Sequence, residues 1–73
     1  MGFEDLTEFE TRLFEWIRQS DFESVPWKAS RAAKAFKVSV GEINDALAAL
    51  TSKVPHNIYV HYQDGAIRIS AER

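Results

Sequence analysis

Apolar residues recur along this chain in two periods. From Leu6 to Ile17 they fall at Leu6, Phe9, Leu13, Trp16 and Ile17, which share one face of a helix. This predicts a first helix over about 6–19, with Asp5 as its cap and Glu8 three residues on in a capping-box position. Phe14 lies off that stripe. It is read as a partly covered aromatic under the loop carrying Phe22, with a self-association surface as the alternative.

The second helix is placed at about 25–36. Its amphipathic part is 28–36: Ala29, Ala32, Ala33 and Phe36 take one side, and Lys28, Arg31 and Lys34 the other. Ser24 can cap it and Pro26 suits a first turn. The alternative is a short extended piece at Val25–Trp27 that joins a sheet edge. Trp27 is read as core. A third helix is predicted over 39–53, opened by a full capping box in Ser39-Val40-Gly41-Glu42 and buried through Val40, Ile43, Leu47 and Leu50, with Ala46 beside them. Only Lys37-Val38 separates the second helix from the third, which forces a sharp turn.

From residue 57 the period changes to two. Asp64-Gly65 is a two-residue turn signal, and a hairpin over about 57–71 pairs Tyr62 with Ile67, Val60 with Ile69 and Ile58 with Ala71 on one face. His61 then opposes Arg68, and Tyr59 opposes Ser70, on the other face.

Length restricts what such a chain can do. Its 73 residues allow one small domain, 1–73, and no large enclosed substrate cavity. Cysteine is absent, so aromatic packing must stand in for disulfides and thiolate metal sites. The composition, 45% hydrophobic and 27% charged, is that of a folded chain. No transmembrane run or signal peptide fits, and a cytoplasmic location is expected. There is no Gly-rich phosphate loop, and His56 and His61 do not have metal-ligand spacing, so neither an enzyme nor a cofactor is expected.

Charge changes the picture further. The net charge of −2 combines an acidic opening, net −5 over residues 1–23, with a basic middle, net +4 over residues 24–40. No acid occurs between Ser24 and Gly41. The pI near 5.6 opposes a strongly adhesive nucleic-acid binder. At contact distance the local charge matters more, because salt screens charges beyond roughly 8 Å.

The run Ala33-Lys34-Ala35-Phe36-Lys37-Val38-Ser39, followed by Ile43, Leu47 and Leu50, resembles the winged helix-turn-helix superfamily of small prokaryotic DNA-binding type. The resemblance covers about residues 6–70. It implies an α+β fold, mostly helical: three helices and a C-terminal β-hairpin wing around Asp64-Gly65. It also implies double-stranded DNA as the partner, with the third helix in the major groove. The third helix offers no Arg, Lys or Gln on its expected outer face of Gly41, Glu42, Asp45, Ala48, Ala49 and Ser52, with Asn44 toward the flank. The expected contacts are therefore largely to phosphate, from Lys28, Arg31, Lys34, Lys37, Lys53, His61 and Arg68; Ser39 and Asn44, the latter able to hydrogen-bond a base edge, complete the expected DNA-binding set. That is binding of low sequence specificity, as in a nucleoid-associated, architectural or transcription-regulator-like protein. The competing expectation is a protein-interaction module using the small-residue face of the third helix. A homodimer through the first helix at Phe14, or by head-to-tail contacts, is the corresponding self-association.

Overall fold

The computed structural model describes residues 2–20, Phe22 and residues 25–72. A 3-10 turn at Phe3–Asp5 precedes α1 (Glu8–Gln19), α2 (Ala29–Phe36) and α3 (Val40–Lys53), and the chain ends in an antiparallel hairpin of β1 (Ile58–Gln63) and β2 (Ala66–Ala71). The layout is α+β, mostly helical and winged-helix-like.

The helix starts depart from the sequence reading. Thr7, not Asp5, caps α1: its hydroxyl accepts from Glu10 N–H at 3.1 Å, and Glu10 Oε1 accepts from Thr7 N–H at 3.0 Å. Asp5 instead accepts from Gly2 N–H at 3.0 Å within its own turn. Leu6 is extended (φ −79°, ψ 141°), so no helix can run through it. The extended piece lets Phe3 fold back edge-on to Phe14, with ring centroids 5.1 Å apart. Phe14 is consequently fully buried, and the self-association surface suggested at that residue does not exist.

The segment before α2 takes the extended alternative, so the helix starts at Ala29 rather than near residue 25. Trp27 N–H donates to the Ile67 carbonyl at 2.8 Å, and Ile69 N–H donates to the Phe22 carbonyl at 3.2 Å. A residue before proline is pushed away from the helical region, which favours extension at Val25. Lys28 takes the cap position with no side-chain bond. The Ser24 cap lies outside the described residues. Ser39 caps α3 by accepting from Glu42 N–H at 3.1 Å, but the return half of the box is not made. The Ser39 hydroxyl donates to Glu42 Oε1 instead, at 3.4 Å.

The core joins Leu13, Phe14 and Ile17 of α1 to Ala32, Ala33, Ile43, Ala46, Leu50, Ile58 and Ile69. Alanine on α2 lets that helix lie close to its neighbours, and a chain of edge-to-face rings, Phe9–Phe36–Trp16–Trp27–Phe22, covers its open side. Val40 departs from the expected buried stripe: it is 43% exposed in the first turn of α3, and Leu47 is half-buried.

The hairpin has the expected register in every pair. Asp64 (φ 56°) and Gly65 (φ 77°) both adopt the left-handed backbone that a two-residue I′ turn requires. Its two strands are covered unequally. β2 lies beside α1, Phe22 and Trp27 and buries Ile69, whereas β1 buries only Ile58 and leaves Val60 42% and Tyr62 78% exposed. Among the described residues no helix is long and apolar enough to cross a membrane.

Candidate nucleic-acid interface

The basic residues of α2 are exposed because of how its alanines are spaced. Ala32 and Ala33 face the core, which turns Arg31 and Lys34 to the opposite side. Successive residues three apart step back about 60° around a helix, so Lys28, Arg31 and Lys34 span roughly 120° of outward arc. All three are exposed. Lys37 extends this ridge into the turn. It sits in the left-handed region (φ 59°, ψ 46°), where glycine is the usual occupant, and its N–H caps α2 on the Ala33 carbonyl. The next N–H, from Val38, shares that carbonyl at 3.0 Å.

The acids of α1 are engaged elsewhere. Glu8 pairs with Arg12 and Glu15 with Arg18, each at 2.9 Å, within α1 itself. Glu10 pairs with Lys53 at 2.8 Å. Among the described residues, Lys28, Arg31, Lys34 and Lys37 take part in no ion pair.

α3 presents a different surface. Ile43, Ala46 and Leu50 point inward, so by helical phase the outward arc is centred near Gly41, Ala48 and Ser52, with Asp45 on one flank and Asn44, Thr51 and Val40 on the other. Asn44 thus lies about 50° from the middle of that face, toward one flank. Val40 and Thr51 were absent from the expected surface, although their helical phase with Asn44 carries the signal. The Thr51 hydroxyl donates to the Ala48 carbonyl at 2.9 Å. Glu42 and Asp45, on the flank opposite Asn44, line a shallow depression with Phe9, Glu10 and Ala46.

The remaining candidates divide. Ser39 is exposed at the start of α3, beside Lys37 in the chain, and its hydroxyl caps the helix. Lys53 is turned to α1 and held by Glu10, away from the α2 ridge. His61 and Arg68 oppose one another across the hairpin, His61 exposed and Arg68 half-buried. The structure therefore leaves Lys28, Arg31, Lys34 and Lys37 exposed along and just beyond α2, with Ser39 two residues on at the start of α3, keeps His61 and Arg68 on the hairpin, and ties Lys53 to Glu10. Compared with family models, curated proteins and solved structures, the chain matches none.

Proposed function

We propose that this protein binds double-stranded DNA with low sequence specificity, through phosphate contacts from the α2 ridge. The observation that carries the reading is the ridge itself: four exposed cations with no ion-pair partner among the described residues, beside an α1 whose acids are engaged in other pairs. Phosphate contacts position a protein on a duplex without reading its sequence. The outward face of α3 fits that role, since it is small and neutral at its centre and carries only Asn44 as a bidentate base reader. The winged helix-turn-helix resemblance supports the same partner, and a nucleoid-associated or regulator-like role in the cytoplasm follows from it.

Binding to two unrelated duplexes across a salt series tests this. Four neutralised phosphates give a slope of log K against log salt of roughly −3.6, equal for both duplexes. The Lys28→Glu, Arg31→Glu, Lys34→Glu triple variant should abolish binding. Unchanged affinity in that variant removes the ridge as the site.

A second reading rests on the same α3 face. Gly41 and Ala48, with Val40 43% exposed, form a smooth surface suited to close packing against another helix. If amide resonances of α3 respond to a protein partner but not to DNA at low salt, the interaction-module reading replaces the first.

A further inference from the structure

We propose that Ser30, Arg31 and Lys34 together hold one phosphate of the duplex backbone, an assignment that rests on the DNA reading above and adds a neutral donor to it. Ser30 lies in the first turn of α2, one position before Arg31 and four before Lys34, and all three are exposed. Residues three and four apart are neighbours on a helix surface, with about 5–6 Å between their Cβ atoms. Long helical side chains also lean back toward the N-terminus, so Lys34 extends over the turn that carries Ser30 and Arg31.

The Ser30 hydroxyl is free to donate. Thr7, Thr11, Ser39 and Thr51 each commit their hydroxyl within the chain, to helix caps or to carbonyls one turn back. The Ser30 hydroxyl makes no hydrogen bond among the described residues, and Arg31 and Lys34 take part in no ion pair there. The three groups complement one another. Arg31 offers a planar fork that matches two phosphate oxygens, and Lys34 offers a point charge. The short Ser30 side chain donates only to an oxygen brought close to the helix. A phosphate gripped by donors of three different lengths fixes where α2 sits on the backbone, and Lys28 and Lys37, at the two ends of the helix, are left for the phosphates on either side.

Binding of the full chain and its variants to one duplex over a salt series tests the assignment. Ser30→Ala should lose about tenfold in affinity at every salt concentration with an unchanged slope, because a hydroxyl releases no counterion. Its melting temperature should not fall, since alanine suits a helix and no internal bond is lost; a fall that accompanies the binding loss counts against the contact. Ser30→Thr keeps the donor and should bind within about twofold of wild type. Lys34→Gln should bind more weakly and flatten the slope by about 0.9. Because both groups grip one phosphate, the Ser30→Ala, Lys34→Gln double variant should lose less than the product of the two single losses. Wild-type affinity in Ser30→Ala overturns the assignment, and so do single losses that multiply in the double variant; either result leaves the ridge standing. A wild-type chain that does not bind the duplex removes the DNA reading itself, and this assignment with it.

Discussion

Glu10 and Lys53, 43 residues apart in the chain, join the first turn of α1 to the last turn of α3 at 2.8 Å. The same Glu10 oxygen also accepts the Thr7 N–H, so one carboxylate both closes a helix cap and clamps two helices. Lys53 lowers the Glu10 pKa below its ordinary 4.5, mainly through this hydrogen bond, with the Thr7 backbone bond adding to it.

The clamp sets a pH dependence. A carboxylate whose folded pKa is depressed contributes stability above its unfolded value, and that stability is lost as pH falls through the folded pKa. Glu10→Gln keeps an acceptor for Thr7 and removes the charge, so it should cost about 0.5–1 kcal/mol at neutral pH. The deficit against wild type should shrink as pH falls below about 4.5 and vanish once Glu10 is protonated. Urea unfolding of both proteins at several pH values checks this, and a pH-independent deficit contradicts it.

Lys37 should show a trade between stability and binding. Its left-handed backbone is strained for any residue with a side chain, so Lys37→Gly should stabilise the fold by about 0.5–1 kcal/mol after the greater freedom of glycine in the unfolded chain is counted. The same change removes one ridge cation, which should flatten the salt slope of DNA binding by about 0.9. Thermal unfolding and a salt titration of the same variant test both expectations.

Asn44 tests selectivity. On a site that reads phosphates, Asn44→Ala should weaken binding to two unrelated duplexes by the same factor. A loss confined to one duplex, on the order of 1–3 kcal/mol, would mean that α3 reads base edges.

Phe14 should behave as a core residue and nothing else. Truncating this fully buried ring in Phe14→Ala should cost about 3–5 kcal/mol, and Phe14→Leu much less. The oligomeric state of the folded Phe14→Leu variant should match that of the wild type, as measured by sedimentation.

The legibility of this chain follows the range of the forces involved. Helical phase on α2 put Arg31 and Lys34 opposite Ala32 and Ala33 from sequence alone, because a 3.6-residue period is local. The hairpin register was equally legible: Asp64-Gly65 closes one turn geometry, and alternation on both strands agrees with a single pairing. The start of α1 was not legible. Asp5 and Thr7 are both sound caps with an acid three residues on, and the choice fell to Thr7 because Leu6 is extended where Phe3 folds onto Phe14.

Sequence alone therefore determined the number and order of the helices, the faces of α2, the hairpin and the uneven charge, since each depends on neighbours a few residues apart. Only the tertiary structure decided that Lys53 would leave the basic set for Glu10, that Trp27 would lend its N–H to Ile67, and that β1 would bury Ile58 while leaving Val60 and Tyr62 exposed. Those outcomes depend on which elements meet across the core, where burial selects one partner among several groups of equal local propensity.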